Sequence, residues 1–358
     1  MNARTSVLMA PDSLASQFQT RYLDIADIRT LLSRKGIENV LLELVAYIES
    51  DYRRWQDFQK CARVANHSQQ CVIELMPVSN SELYGFKYVN GHPVNTFQNM
   101  LTVMAFGALA DVATGFPLLL SEFTIVTALR TAATSAWVAS LLARPAARSM
   151  AVIGNGAQSE FQILAFKAVL GISEVRVFDI DPAATDKLLA NLAGIAGLTL
   201  IRCNSTADAV RGADIVTTVT ADKNYATILT PEMIEDGMHI NAVGGDCPGK
   251  TELHADVLRR GKVFVEYEPQ SRIEGDIQQM PADFAVTELW EVLQHQKSGR
   301  ESEAQVTIFD SVGFALEDFA ALRYLHTHAE AMSLGQLMNL IPQDFNPKNL
   351  FGFSQQSD

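Results

Sequence analysis

The stretch Met150-Ala-Val-Ile-Gly-Asn-Gly-Ala-Gln-Ser159 decides the fold. An apolar run from Met150 to Ile153 stops at Gly154, Gly156 follows two residues later, and Gln158-Ser-Glu-Phe-Gln-Ile-Leu-Ala-Phe166 opens a helical pattern. Strand, glycine turn and helix in that order are the layout of a dinucleotide-binding turn. Gly154 permits the tight bend, Gly156 admits a pyrophosphate without a Cβ in the way, and the helix N-terminus offers unbonded N–H groups and a positive dipole end. Ser159 stands where the usual fingerprint has its third glycine, and it is small enough to sit close to a strand.

The next strand supports this. Glu174-Val-Arg-Val-Phe-Asp-Ile-Asp181 ends its apolar alternation at Asp179, about 20 residues beyond the glycines, where an acidic side chain accepts the ribose hydroxyls and repels a 2′-phosphate. NAD is therefore expected rather than NADP. The competing reading makes Asp179 the N-cap of a helix that starts near Pro182. Further strands are expected at 199–202, 215–219, 239–243, 263–267 and 306–309, mostly separated by helical patterns or polar connections. That alternation predicts a Rossmann-type, doubly wound parallel α/β sheet.

Upstream the pattern differs. Residues 1 to about 55 read as an initial cap with helices at 23–32 and 39–48. From Arg63 the period becomes two, and strands bounded by Asn, Gly and Pro are expected at 72–78, 84–89 and 115–120, which gives this region a mainly antiparallel sheet of its own. A long alanine-rich helix at 124–143 carries one charge, Arg130, and ends before Pro145; its small residues suit close packing between two domains. After the last parallel strand, an amphipathic helix at 313–325 is expected to cross back to the first region. The expected division is an α+β domain of 1–130 with 320–358, and a dinucleotide-binding domain of 131–319.

A chain of 358 residues has room for two domains, and 48% apolar against 19% charged residues can fill two cores. With 28 basic and 41 acidic side chains the net charge is −13, which argues against nucleic acid or an anionic membrane surface as partner. No apolar run of about 18 residues lacks a charge or a break, so no membrane span is expected. Cys61, Cys71, Cys203 and Cys247 lack Cys-x-x-Cys spacing, and no signal-peptide pattern opens the chain; free thiols in a cytoplasmic protein are the simplest account. The seven histidines show no ligand spacing, and no metal is assigned.

Four positions attract chemical readings beside the glycine turn. Arg63 and Lys87 lie in the antiparallel region; either they line a solvated strand face, or they point into a cleft, where Arg63 as a bidentate fork and Lys87 as a point charge suit a substrate carboxylate. Thr220, at the end of the strand near 215–219, is either a β-favouring residue or a hydroxyl for the cofactor. In Val243-Gly-Gly-Asp-Cys-Pro-Gly-Lys250, Gly244 and Gly245 remove bulk beside the expected cofactor. Asp246 is then either a rigid proton shuttle or the start of an Asx-turn before Pro248.

The chain resembles the ornithine cyclodeaminase/μ-crystallin family through Arg63-Val-Ala-Asn-His67, Val72-Ile-Glu-Leu-Met-Pro77, Phe86-Lys-Tyr-Val-Asn-Gly-His-Pro93, Thr127-Ala-Leu-Arg-Thr-Ala-Ala133, the glycine turn, Gly244-Gly-Asp-Cys-Pro-Gly-Lys-Thr-Glu-Leu253 and Phe309-Asp-Ser-Val-Gly313. The resemblance implies that Arg63, Lys87 and Arg130 hold an amino-acid carboxylate. It places Arg130, Thr102, Ala157, Gln158, Asp179, Thr220, the backbone of Ile240, Asn241, Ala242 and Val243, Lys250 and Ser311 at NAD, and Val312, Glu74 and Met76 at the substrate. Asp246 is implied as proton donor and acceptor, with Glu74 assisting. It further implies a homodimer joined through the non-Rossmann domains, and conversion of L-ornithine to L-proline and ammonia by transient hydride transfer. Two competitors share the scaffold: a net amino-acid dehydrogenase or cyclic-imine reductase, and a non-catalytic dinucleotide binder.

Overall fold

The computed structural model describes residues 19–68, 71–221, 227–342 and 346–354. The first sheet is built from β1 (Thr20–Leu23), β2 (Gln59–Lys60), β3 (Val64–His67), β4 (Val72–Ser79), β5 (Leu83–Gly91), β6 (Ala105–Asp111) and β7 (Pro117–Glu122). β4 to β7 form an antiparallel meander, β2 and β3 flank β4, and β1 lies parallel to β7. Alternation along β4 and β5 buries one face. The inward set includes Glu74, Met76 and Lys87, and Met76 lies directly opposite Lys87. Polar groups at core positions of otherwise apolar strands are the first mark of a site.

The second sheet is wholly parallel. It comprises β8 (Ser149–Ile153), β9 (Glu174–Phe178), β10 (Thr199–Arg202), β11 (Ile215–Thr218), β12 (His239–Ala242), β13 (Gly261–Val265), β14 (Thr287–Glu288) and β15 (Val306–Asp310), in the order β10-β9-β8-β11-β12-β15-β13-β14. This is the doubly wound sheet expected from the sequence. The chain then returns through the Ala315–Ala331 helix, which packs on β4 to β7, and ends with β16 (Gln336–Met338) antiparallel to β1.

Between the sheets runs the Thr124–Leu142 helix, long and apolar enough to cross a membrane but 78% buried within the protein. Its lack of a polar face follows from being covered on all sides. The Ile37–Arg53 helix packs against it and against the returning helix.

Several boundaries differ from the sequence reading. The expected strand at 115–120 begins at Pro117, because Gly115 at φ +74° closes the turn from β6. β6 itself was not foreseen: Gly107 and the short alanines interrupt its alternation. Nor was β1, so the N-terminal region is more than a helical cap; β16 is an edge strand and β1 lies between it and β7, and with three and four residues both are too short to show a period.

Candidate active site

β8 and β11 are neighbours although the connections from them wind to opposite sides, so their carboxyl ends make a topological switch point. Gly154 has φ +96°, and a Cβ there would lie 2.8 Å from the Val219 carbonyl oxygen. A Cβ on Gly156 would meet nothing within 4 Å, so that flank of the turn is open. The 12-residue helix Ser159–Leu170 receives no side-chain cap from Gln158, which leaves its first N–H groups available to an anion. Gln158 Oε1 is buried without a hydrogen-bond partner. Ser159 is fully buried, its hydroxyl donating to the Gly156 carbonyl at 2.9 Å, as a small third residue requires.

Asp179 directly follows β9 and accepts the Asn155 N–H at 2.5 Å and the Asp181 N–H at 2.8 Å. Asp181, not Asp179, caps the helix that begins at Pro182, so the capping alternative fails. An open glycine turn, an uncapped helix and a carboxylate on the adjacent strand fit a dinucleotide with free ribose hydroxyls. Around it, Ala157 is exposed, Ile240, Asn241 and Ala242 are buried strand residues of β12, and Val243 is half-buried at its end. The Thr102 carbonyl accepts from His92 N–H, and no hydrogen bond among the described residues ties Thr102 to the turn.

The opposite wall belongs to the first sheet and the returning helix. Lys87 is 1% exposed and donates to Asp318 Oδ1 at 2.9 Å, which disposes of the solvated-face alternative. Burial, then the Arg130 charge, lowers its pKa to about 8 against the pull of Asp318. Arg130 donates to Glu317 at 2.6 Å and lies 2.9 Å from Asp318 through Nε. A Cβ at Gly313, where φ is +73°, would stand 2.7 Å from Arg130 Nη1, so only glycine leaves the guanidinium its place.

The Arg63 side chain is also buried, with Nη2 donating to the Val312 and Gly313 carbonyls at 2.5 and 2.6 Å, Nη1 to Glu74 at 2.9 Å, and Nε 3.0 Å from Glu274. Burial opposes its charge, but Glu74, Glu274 and Asp246 outweigh burial and raise its pKa. The protein itself fills most of this fork. Arg63 has one Nη1 hydrogen left to offer, whereas the Arg130 Nη2 amino group and two Lys87 protons make no bond to the described residues.

Asp246 closes the gap between the walls. Its side chain is 52% exposed, it accepts from Lys250 Nζ at 3.3 Å, and it receives no backbone N–H among the described residues, so no Asx-turn forms. Its charge acts on Arg63, Glu274 and Lys250. Lys250 also donates to the Thr220 carbonyl at 3.1 Å, and burial, which disfavours its charge, is overcome by Asp246 and Glu252.

Sequence reasoning missed the carboxylates that hold these groups. Asp310 accepts the Asp276 and Ile277 N–H groups, Asp276 accepts those of Glu252 and Leu253, and Glu252 accepts those of Thr220 and Gly244 as well as the Thr220 hydroxyl. Glu266 receives the Ser311 hydroxyl and the Gly313 N–H. This changes the account of the glycine pair: a Cβ on Gly244 would lie 2.1 Å from Glu252, and one on Gly245 2.8 Å from Asp276. Those glycines make room for buried carboxylates rather than for cofactor. Because its proton goes to Glu252, the Thr220 hydroxyl can only accept from a ligand. The adjacent acids Glu317 and Asp318 at the start of an apolar helix were the one available signal.

Comparison with known proteins gives three results. Residues 27–333 match the model of the ornithine cyclodeaminase/mu-crystallin family. The chain is 57% identical, over 92% of both chains, to ornithine cyclodeaminase of Brucella suis biovar 1, and 56% identical to that of Agrobacterium fabrum over 92% and 93%. Among solved structures it resembles a lysine cyclodeaminase described with L-lysine, L-ornithine and L-2,4-diaminobutyric acid (TM-score 0.85, 27% identity, 91% and 97% coverage), and an archaeal alanine dehydrogenase dimer with bound NAD (0.82, 29%, 90% and 100%).

Proposed function

The chain belongs to the ornithine cyclodeaminase/mu-crystallin family, and from that premise we infer that it is an NAD-dependent ornithine cyclodeaminase, which converts L-ornithine to L-proline and ammonia. The carrying observation is the charge balance at the cleft. Arg63, Lys87, Arg130 and Lys250 face Glu74, Glu274, Asp246, Glu266, Glu317 and Asp318. Cations for one carboxylate stand beside a surplus of anions, which suits a substrate with two ammonium groups better than a monoamino or dicarboxylic acid.

NAD fits the switch point: Gly154, Gly156, Ala157 and Gln158 take the pyrophosphate, Asp179 the ribose, and Thr220, the Ile240 to Val243 backbone, Lys250, Ser311, Thr102 and Arg130 the remainder. When bound it supplies a reversible hydride acceptor, so the α-carbon is oxidised and the cyclic imine reduced within one turnover. The protein does the rest. Arg130 Nη2, Lys87 Nζ and the remaining Arg63 N–H hold the substrate carboxylate, which fixes the α-hydrogen toward the cofactor. Met76 and Val312 shape the pocket. Asp246, assisted by Glu74, takes a proton from the δ-ammonium, whose freed lone pair attacks the α-carbon, and returns a proton to the departing ammonia.

The same reading makes residues 1–130 with 320–358 the substrate and dimerisation domain and 131–319 the NAD domain, in a cytoplasmic homodimer. The outer face of the first sheet supports dimerisation: Val64, Ile73, Leu75, Tyr84 and Phe106 form an exposed apolar surface. The deciding assay gives purified protein L-ornithine and a catalytic amount of NAD. Proline and ammonia should accumulate without net NADH. Stoichiometric NADH would instead make it a dehydrogenase.

A further inference from the structure

Glu274 ends the Glu268–Glu274 helix and has no part in the reaction as proposed so far. Its side chain is 4% exposed, with Oε2 3.0 Å from Arg63 Nε, while Glu74 lies 2.9 Å from Nη1 of the same guanidinium. Two buried carboxylates thus share one positive charge, and Asp246 adds a third anion that acts on both Arg63 and Glu274. An uncompensated anion in such surroundings takes up a proton or a second cation. Burial accordingly raises the Glu274 pKa to about 7, with Arg63 opposing and Glu74 and Asp246 reinforcing the rise.

Two atoms mark where the second cation belongs. Glu74 Oε1 is buried without any hydrogen-bond partner, and Glu274 Oε2 and Arg63 Nε, 3.0 Å apart, are ion-paired without an aligned hydrogen bond. Groups this deep are normally satisfied, so Glu74 Oε1, orphaned beside a second carboxylate that shares its cation, points to a missing donor. We propose that Glu274, with Glu74, forms the seat for the distal ammonium group of the diamino acid, and that Glu274 is the residue that selects for a charged chain end. This rests on the diamino-acid reading of the site. A monoamino acid of equal length would set a methyl group between the carboxylates and leave their charge uncompensated.

The test compares L-ornithine with L-norvaline, which has the same carbon chain and no distal amine, on the NAD-loaded enzyme. In Glu274→Gln the KM for ornithine should rise about 10- to 100-fold, the worth of a charged hydrogen bond, while the Ki of norvaline stays within twofold. Equal losses for both ligands would show that Glu274 acts only through Arg63 on the carboxylate end, and would overturn the proposal; so would no change for either. Glu274→Asp, which keeps the charge one methylene further back, should show the same selective loss at smaller size, and serves if the amide variant does not fold. If the unaltered enzyme makes no proline from ornithine, the proposed function itself falls. If it does, and Glu274→Gln keeps the ornithine to norvaline ratio, only the role of Glu274 falls.

Discussion

The two walls of the cleft are built on different principles. On the cofactor side, buried carboxylates bind backbone N–H groups: Asp310, Asp276 and Glu252 each grip a loop, and the last grips Thr220 and Gly244. On the substrate side, carboxylates bind side-chain cations: Glu317 and Asp318 hold Arg130, Asp318 holds Lys87, and Glu74 and Glu274 hold Arg63. The first arrangement fixes where main chain runs and presents shape. The second fixes charged groups before a charged substrate arrives, so less reorganisation is needed when it binds. A wall made of backbone contacts tolerates change of charge poorly at its anchors; a wall made of ion pairs fails when either member is removed.

The largest expected effect falls where the walls meet. Asp246→Asn should lower kcat by about 10²- to 10⁴-fold, the usual contribution of a positioned acid–base group, with NAD affinity unchanged by titration. Near-normal kcat would leave proton transfer to the substrate wall alone. Next comes Asp318→Ala, which strips one carboxylate from both Lys87 and Arg130. Loss of one member of a buried ion pair costs about 3–5 kcal/mol, so calorimetry should record a marked fall in Tm. A variant with native Tm would mean that Glu317 alone suffices and that the wall is redundant.

The difference between the walls also explains what could be read in the chain. The glycine turn and Asp179 lie within about 30 residues of each other, and every β-strand of the parallel sheet except the two-residue β14 announced itself by its apolar run. The cations proposed for the substrate stand out in the sequence because charges interrupt apolar patterns, but their depth and partners are not legible there. Lys87 meets Asp318 across 231 positions and Arg130 meets Glu317 across 187. No local spacing encodes such pairs; they exist because the returning helix lays its first turn against the first sheet. The glycine pair at Gly244 and Gly245 was legible as a need for space, and only the structure shows that Glu252 and Asp276 fill it.

Asp310→Asn probes the anchors of the cofactor wall at smaller cost. Both carboxylate oxygens accept backbone N–H groups, and an amide would set its own donor against one of them, for about 1–3 kcal/mol. Burial, opposed by the Ile277 and Asp276 N–H groups, raises the Asp310 pKa from an ordinary 3.8 to about 7. A raised carboxyl pKa means that proton uptake stabilises the folded state below about 4 and that this gain is lost as pH rises through about 7. Tm of the unaltered protein should therefore decline as pH rises from about 5 to about 7 and level off above that, with Glu317 and Glu274 acting in the same direction. The variant should show a lower Tm and a shallower decline; an equal slope would mean that Asp310 stays ionised on its backbone donors.

The smallest effect separates charge from shape on the substrate wall. Lys87 titrates near pH 8 because burial and Arg130 disfavour its charged form, and only the charged form can hold a carboxylate. As pH rises through about 8 the free enzyme loses that cation, so kcat/KM, which reports free-enzyme groups, should fall on its alkaline side with an apparent pKa near 8. Lys87→Arg keeps a charge that no accessible pH removes. The planar guanidinium fits the space of a single ammonium poorly, so the plateau should drop, yet the alkaline limb should move up by at least about one pH unit. A limb that stays near 8 in the variant would belong to another group, and the carboxylate would then depend on Arg130 and Arg63 alone, leaving Lys87 as the partner that keeps Asp318 buried.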